Sequence, residues 1–389
     1  MELRKITRGD WPAVRQIHTL AFDGSRSEFR VQADDLPVIE DTWAAFDGAR
    51  PVSALTSFRF EMTYEGSYTG MSGIAGVATL PEERRRGHVR RLFEAAFAQM
   101  RERGHTWSAL YPFSFPYYRK FGYELVYDED EYEIPAEALH PLPRHGSVER
   151  VGGLTRELES LYEATALPRN LAIRRTRDIW SQRLPADPLA ARELTYLLRN
   201  DSGAAIAAVT VKAEPAQPYS INADVRDLLF TSGTALRAML GHIPTLYPRA
   251  ERVRLRLPSD IPLELIVPEP YDVTHTRSPR LMGRVADVAA TLESTRFPGA
   301  GTLTLGVEDE QMEWNNGRFR VAWEEGRTRV TQSDGEPDVS TSIRGLSQLL
   351  AGYVDGAAAK TLGIVESGLS TEKLASVFPP KPLYQNDPF

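Results

Sequence analysis

A run of three consecutive arginines, Arg84–Arg86, precedes a helix-like segment and could hold an anion. A helix N-terminus leaves backbone N–H groups unpaired and carries a partial positive charge. Each cation placed there costs roughly 0.3–1 kcal/mol. An anion such as phosphate removes this conflict, because free N–H groups and guanidinium groups both bind it, and Gly87 lets the backbone approach it closely. The alternative is that Glu82 and Glu83 simply neutralise the arginines at the surface.

The elements around the arginines read as strand, turn and helix. The apolar stretch Ile74–Leu80 predicts a strand, which Pro81–Glu83 closes. Residues 84–87 are expected to form the turn and the first helical residues. Apolar side chains then recur at steps of three and four residues, which predicts an amphipathic helix; they are Val89, Leu92, Phe93, Ala96, Phe97 and Met100.

A second candidate is the aromatic run over residues 117–123, which follows a strand-like segment at Trp107–Tyr111. The residues themselves favour an aromatic core cluster for Tyr117, Phe121 and Tyr123. His18 lies on the apolar face of a predicted helix and is interpreted as a packing residue.

Three regions differ in their pattern of elements, and all of them suit an α+β fold. Residues 1–150 mix helices with strands and end in a proline-containing linker. Residues 151–281 repeat this alternation with weaker detail. Residues 282–389 predict a small antiparallel meander followed by helices.

Composition excludes several kinds of protein. The chain of 389 residues carries a net charge of −7, which disfavours a general nucleic-acid binder. It contains no cysteine, so disulfides, thiolate nucleophiles and cysteine-ligated metals are excluded, and no metal is expected. No apolar leader or membrane-length apolar run is visible, so a cytoplasmic protein is expected.

The run Arg84-Arg85-Arg86-Gly87-His88-Val89 resembles the acetyl-CoA motif of GCN5-related N-acetyltransferases, Arg/Gln-x-x-Gly-x-Gly/Ala, although Val89 stands where a small residue is usual. The resemblance implies acetyl-CoA as co-substrate. Its pantetheine arm would pair with the backbone of residues 77–79, and the loop amides would hold its pyrophosphate. The cofactor-binding residues implied are Val77, Ala78, Thr79, Arg84, Arg85, Arg86, Gly87, His88, Val89, Arg90, Phe113 and Ser114.

The order of the regions is similar to that of the Eis (enhanced intracellular survival) family of aminoglycoside N-acetyltransferases. The resemblance rests on "DWP" at 10–12, "RRRG" at 84–87, the Tyr118-x-x-FGY run and a chain ending in Phe389. It implies a catalytic acetyltransferase domain over 1–150, a degenerate copy over 151–281 and a sterol-carrier-protein-like domain over 282–389. The copy's counterpart of the motif, VRDLLFTSGTALRAML, lacks Arg-x-x-Gly. Members of the family form hexamers, so a homo-oligomer is expected.

The same resemblance implies a direct transfer of acetyl to an amine. The terminal carboxylate of Phe389 would act as general base, and Tyr118 would protonate the leaving thiolate. An α-carboxyl group ordinarily has a pKa of about 3.3–3.7, so it is a weak base unless it is desolvated. The alternative for Phe389 is a frayed chain end, since most chain termini are poorly ordered.

The acceptor is less well defined by the sequence. A small polycationic amine would need carboxylates in a roomy cleft, and Gly76 stands where relatives carry a bulky aromatic residue. The candidate acids are Asp23, Glu28, Asp34, Asp35, Glu40 and Asp387, and the candidate aromatic walls are Phe22, Trp43 and Phe113. Each acid is equally well explained as a solvated surface charge.

Two alternatives come from other classes of protein. The C-terminal region could make the chain a carrier of a hydrophobic ligand, or the chain could bind CoA as a regulator without turnover. The many charges on the predicted C-terminal strands argue against the carrier, and Tyr118 together with Phe389 argues against the regulator.

Overall fold

The computed structural model describes residues 1–22 and 36–389. It is a mixed structure of helices and two sheets, which confirms the predicted α+β class. The elements of the N-terminal region are β1 (Glu2–Lys5), α1 (Trp11–Phe22), α2 (Leu36–Asp41), β2 (Thr42–Asp47), β3 (Arg50–Tyr64), β4 (Ser67–Thr79), α3 (His88–Glu102), β5 (Trp107–Leu110), α4 (Phe115–Arg119) and β6 (Glu124–Pro135).

The middle and C-terminal regions supply the remaining elements. The middle region contains β7 (Ser147–Val151), α5 (Arg156–Ala166), α6 (Arg177–Arg183), α7 (Pro188–Ala191), β8 (Glu193–Arg199), β9 (Ala205–Pro215), β10 (Ile221–Phe230), α8 (Gly233–Leu246), β11 (Ala250–Arg256) and β12 (Thr274–Val285). The C-terminal region contains α9 (Val288–Ser294), β13 (Gly301–Glu308), β14 (Gly317–Glu324), β15 (Arg327–Gln332), β16 (Val339–Ser342), α10 (Ile343–Ala351), α11 (Gly356–Thr361), β17 (Val365–Ser367) and α12 (Thr371–Val377).

The N-terminal and middle regions share one sheet of twelve strands. Its order is β1-β2-β3-β4-β5-β12-β6-β11-β10-β9-β8-β7. Strand β12 is inserted between β5 and β6 and is antiparallel to both. It also continues past residue 281, where the sequence suggests a boundary. The C-terminal region has its own five-stranded sheet, in the order β15-β14-β13-β16-β17.

Strands β4 and β5 are parallel and separate at a fork. Their pairing runs from Met71↔Trp107 to Ile74↔Leu110, whereas β4 continues to Thr79 and pairs only with β3 there. A register shift near Ala75 accompanies Gly76, which has a left-handed φ of 58°. The fork therefore leaves one edge of β4 without a paired strand over its last residues, as far as residues 1–22 and 36–389 are concerned.

The two faces of this sheet bury different cores. On one face, α3 packs Leu92, Phe93 and Phe97 against Ile74 and Leu110. On the other face, Met71, Trp107 and Ala109 pack with apolar residues of the C-terminal region, among them Leu303, Phe319 and Leu346. Because successive strand residues point to opposite faces, residues 73 and 74 at the fork belong to different faces.

Candidate active site

The loop between β4 and α3 turns sharply around the arginines. Pro81–Glu83 forms one 3₁₀ turn, Arg84 is extended, Arg85 adopts a left-handed φ of 63°, and Gly87 caps the helix with a φ of 80°. Residues 84–87 therefore form the predicted turn. The expectation that they also supply the first helical residues is wrong, because Arg85 and Gly87 are left-handed and α3 begins at His88. Successive N–H groups in such turns form concave anion sites.

The charges of the loop are only partly balanced by its own acids. Arg86 lies 3.0 Å from the Glu83 carboxylate, while Glu82 pairs with Arg50 at 2.6 Å. Arg84 and Arg85 form no ion pair with residues 1–22 or 36–389, and the N–H groups of residues 85–90 find no hydrogen-bond acceptor there. Neutralisation by neighbouring acids thus accounts for one arginine of the run.

His88 and Val89 point into the protein rather than into the loop. His88 is buried, and its two ring nitrogens have no hydrogen-bond partner in the described chain, although Glu83 lies 3.5 Å away. Val89 packs against the α3 core. A contribution of either residue to anion binding would come from its backbone N–H, whereas the Arg90 side chain is exposed.

The loop and the open edge of β4 suit an acetyl-CoA molecule. Within the described chain, the N–H groups of the loop and two of its guanidinium groups have no partner, which matches a pyrophosphate. The strand edge that no described strand pairs with matches the amides of a pantetheine arm. Residues 77–79 form this edge; Ala78 is buried, and Thr79 bonds the Ser53 hydroxyl at 2.8 Å.

Tyr118 lies in α4, within an aromatic cluster that also packs against α3. Its ring meets Phe93, Phe113 and Tyr117 edge-on, with centroids 6.4, 5.3 and 5.2 Å apart. Burial raises the pKa of Tyr118 well above its usual value. Its hydroxyl, unlike that of Tyr123, donates to no group in the described chain. Tyr118 therefore holds a proton at neutral pH, and none of the described residues accepts a hydrogen bond from it.

The rest of the aromatic run forms core. Phe121 stacks on Phe93 at 4.1 Å, and the Tyr123 hydroxyl bonds Ser108 at 2.7 Å. The core interpretation of Tyr117, Phe121 and Tyr123 is thus confirmed. Phe113 is exposed beside Tyr118, and Ser114 precedes α4 without a capping hydrogen bond from its side chain.

Phe389 packs at the β4–β5 fork, on the sheet face opposite α3. Its ring lies 5.1 Å from the rings of Phe60 and Tyr111. A Cβ at Gly73 would lie 2.7 Å from the rings of Phe389 and Phe60, so only glycine leaves room for this contact. Sequence reasoning missed Phe60, Gly73 and Tyr111, because nothing in their separate strands signals that they meet the chain end.

His18 does more than pack. It is half-buried on α1, and its Nε2 lies 3.0 Å from the Gly76 carbonyl oxygen. Desolvation lowers the pKa of His18, so the neutral ring donates this bond and holds the Gly76 bulge of β4.

The acids that the sequence suggests for acceptor binding lie in different surroundings. Asp23, Glu28, Asp34 and Asp35 lie outside the described residues. Glu40 pairs with Arg59 at 3.4 Å. The prediction that Asp387 faces the acceptor is wrong, because this side chain is buried and paired with Arg175.

Of the proposed aromatic walls, Trp43 also lies away from the Phe389 face. It packs with the α3 core and donates to Gln99 at 3.1 Å. Phe22 packs beside His18, with ring centroids 6.1 Å apart.

Neither a metal-binding cluster nor a membrane-spanning helix is present among residues 1–22 and 36–389. Within them, no group of three or more His, Asp or Glu side chains is arranged to hold a metal ion. No helix in that part of the chain has the length and apolar character needed to cross a membrane.

Segments of the chain match models of known domain families. Residues 2–126 and 171–285 each match an acetyltransferase (GNAT) domain, and residues 288–385 match a sterol carrier protein domain. The chain therefore carries tandem GNAT domains followed by a sterol-carrier-protein-like domain, as the sequence predicts. The GNAT fold uses acetyl-CoA as its acetyl donor.

Individual relatives agree with this class. An uncharacterized N-acetyltransferase of Streptomyces griseus is 27% identical over 291 residues, which are 69% of this chain and 70% of the relative. A GCN5-related N-acetyltransferase from Anabaena variabilis has a TM-score of 0.88 at 21% identity, covering 100% of both chains. Eis1 from Mycobacterium abscessus has a TM-score of 0.85 at 20% identity, again covering 100% of both chains. These structures share the three-part fold, and the domains and relatives together support an N-acetyltransferase, which confirms the predicted enzyme class.

Proposed function

We propose that this chain is an acetyl-CoA-dependent N-acetyltransferase of the Eis type, which acts on an amine of a small polycationic acceptor such as an aminoglycoside. The observation that carries the proposal is the contact of the Phe389 ring with Gly73 at the β4–β5 fork. The loop that suits the cofactor follows the same strand. A donor bound on one face and an acceptor bound on the other would meet at the gap between the strands.

Three groups of the chain each carry out one part of the acetyl transfer. Bound acetyl-CoA supplies an acetyl thioester, which an unprotonated amine attacks. The Phe389 α-carboxylate attracts the acceptor's ammonium and accepts its proton. Backbone N–H groups near residues 77–79 polarise the thioester carbonyl. As the C–N bond forms and the C–S bond breaks, Tyr118 donates its hydroxyl proton to the departing sulfur. The second proton that the acylated nitrogen loses returns to Tyr118. Burial raises the pKa of Tyr118, so its hydroxyl is protonated before the step.

The middle region is proposed to be a degenerate copy without a CoA site. Its helix α8 follows β10 as α3 follows β4, yet the Ser232 side chain caps it by accepting from the Ala235 N–H at 3.2 Å. The segment VRDLLFTSGTALRAML carries no arginine cluster at this turn. A capped helix end without cations offers little to a pyrophosphate.

The remaining assignments extend the same proposal. We assign the catalytic domain to 1–150, the degenerate domain to 151–281 and the scaffold that delivers Phe389 to 282–389, with β12 shared across the second boundary. Leu305, Phe319 and Leu346 fill the core of the C-terminal sheet, which fits a scaffold. A cytoplasmic homo-oligomer, with a hexamer as the first candidate, completes the proposal.

The test is release of free thiol from acetyl-CoA in the presence of a panel of polyamines and aminoglycosides. Activity above the blank without acceptor is expected for at least one amine. Deleting Phe389, or adding one glycine after it, should abolish turnover while acetyl-CoA binding persists. Phe389→Tyr keeps both ring and carboxylate and serves as the matched control. No thiol release with any amine would contradict the enzyme, and full turnover by the deletion would contradict the terminal base.

A further inference from the structure

The last residues of the chain run through the middle region before they reach the N-terminal region. Leu383 forms a bridge with Asn170, and the Tyr384 N–H donates to the Asn170 carbonyl at 3.0 Å. The Tyr384 ring is buried in the core of the middle region, together with Tyr162 and Trp180. We call residues 383–389 the tail. The middle region thus holds the tail just before Phe389.

A buried charge cluster fixes the tail two residues before its end. Arg175 is fully buried, donates from Nε to the Asp387 carboxylate at 2.9 Å, and pairs through its other nitrogens with Asp227. Arg183 lies 3.5 Å from Asp387 and closes the cluster from the solvent side. The Tyr162 hydroxyl donates to the Ile173 carbonyl and also lies 3.2 Å from the Asp387 carboxylate, while its ring lies under the Arg175 guanidinium.

Two arginines and two aspartates make the cluster electrically balanced. Burying ions costs several kcal/mol each unless they are well paired. Asp227 belongs to β10 and Arg175 to the segment before α6, so three of the four charges come from the middle region. The fourth, on Asp387, is the one that couples this domain to the tail.

We propose that Arg175, Arg183 and Asp227 are positioning residues, which hold Asp387 and thereby fix the Phe389 carboxylate at the β4–β5 fork. This inference rests on the proposed function, because it presumes that the carboxylate takes part in the reaction. The degenerate middle domain then has a role of its own, since it clamps the chain end that the catalytic domain uses.

Asp387 lies only two residues before the chain end, so anchoring it restricts where the Phe389 carboxylate can lie. An extended residue spans at most about 3.6 Å, so anchoring Asp387 confines the end of the chain to roughly 7 Å from it. The Tyr111 hydroxyl adds a contact to the Asp387 carbonyl oxygen at 3.3 Å, and the Phe389 ring packs on the same tyrosine. A misplacement of about 1 Å in a reacting group can lower a rate by about 100-fold.

The test compares tail mobility with turnover in three variants. Asp387→Asn keeps the side chain's shape and removes its charge. Arg183→Gln removes the partly exposed arginine of the same cluster, so that the buried Arg175 alone faces the two aspartates. Arg174→Gln is the matched control, because Arg174 is a neighbouring arginine whose ion pair with Glu61 is exposed. Tail mobility is measured as amide hydrogen exchange of residues 384–389 by mass spectrometry, and folding by thermal unfolding.

We expect Asp387→Asn to exchange its tail amides about tenfold faster or more and to lose about 10- to 100-fold in kcat. Arg183→Gln should change both quantities in the same direction and by less. Both variants should keep the wild-type Kd for acetyl-CoA. Arg174→Gln should change neither the exchange rate of the tail amides nor kcat.

Three results would overturn the inference. They are wild-type exchange in both cluster variants, faster exchange with unchanged kcat, and reduced kcat with a fully protected tail. Failure of the proposed function looks different: the Phe389 deletion would keep its turnover, whatever the exchange of the tail in the cluster variants.

Discussion

Tyr118 combines a buried ring with a hydroxyl that has no partner in the described chain, which is the state expected of a proton donor awaiting its acceptor. We predict that Tyr118→Phe lowers kcat by about 100-fold, a typical contribution of general acid catalysis, and leaves the Kd for acetyl-CoA unchanged. Steady-state kinetics and calorimetric titration measure the two quantities.

Tyr117→Phe is the control for this variant, because Tyr117 belongs to the same helix and cluster but is assigned to packing. Its kcat should stay close to that of the wild type. A loss of similar size in both variants would show that the hydroxyl of Tyr118 has no special role and that the cluster simply needs its tyrosines.

His105 gives the fold a dependence on pH that is separate from catalysis. Burial, with a smaller effect of Arg103, lowers the pKa of His105 from 6.5 to about 4, and its Nδ1 bonds the Ser72 hydroxyl at 2.7 Å. The unfolded chain therefore binds more protons than the folded chain between these values. The stability present above pH 6.5 is lost as pH falls towards 4.

We predict that protonation of His105 lowers the free energy of unfolding by up to about 3 kcal/mol as the solution is acidified, since one pKa unit corresponds to about 1.4 kcal/mol. Urea denaturation at pH 7.5 and at pH 4.5 gives the difference, and His105→Asn should reduce it. An NMR titration that finds an ordinary pKa for His105 would contradict the prediction.

At the scale of elements, the loop from β4 to α3 concentrates N–H groups and arginines that have no partner among the described residues. We predict that Arg84→Ala together with Arg85→Ala weakens acetyl-CoA binding by about 10- to 100-fold, because charge-assisted hydrogen bonds to a phosphate group are lost. The kcat at saturating acetyl-CoA should change little. Titrations at low and high salt measure the binding, and the salt dependence should shrink in the double variant.

Arg86→Ala is the control for the loop, because its side chain already pairs with Glu83. It should weaken binding less than Arg85→Ala does. An equal effect of all three arginines would mean that only the net charge of the loop matters.

Local elements were the predictable part of the fold, and the contacts between distant segments were not. The strand, turn and helix around residues 74–100 follow from apolar periodicity and a glycine. The insertion of β12 between β5 and β6 joins segments about 150 residues apart, and no local pattern specifies it. The same reason hid the Phe389–Gly73 contact and the Arg175–Asp387 pair, although the family resemblance points to Phe389 and to the loop residues.

At the scale of the whole molecule, one core joins the first and last regions. Met62 and Trp107 belong to the same buried cluster as Leu303 and Leu346. The middle region joins them through the shared sheet and the tail. The catalytic region is therefore supported on one face and at one edge by the other two, so its unfolding is expected to be coupled to theirs.

The buried pair of Arg284 and Asp309 tests this coupling. Arg284, on β12, bonds the Phe121 carbonyl beside Tyr118, and it pairs with Asp309 of the C-terminal region. Both side chains have no exposed surface. We predict that Asp309→Ala destabilises the protein by about 3–5 kcal/mol, because it leaves the Arg284 charge buried and unpaired.

The double variant, Asp309→Ala with Arg284→Met, should lose less free energy of unfolding than the two single variants lose in sum, because it removes the unpaired charge. It should not recover fully, since Asp309 also accepts from Asn315 at 2.9 Å and from the Gln311 N–H at 3.0 Å. Urea denaturation followed by fluorescence and by circular dichroism gives the free energies, and coincident transitions would show coupled unfolding. Two separate transitions in the wild type, with only the later one moved by Asp309→Ala, would mean that the regions unfold independently and that the pair stabilises one of them alone.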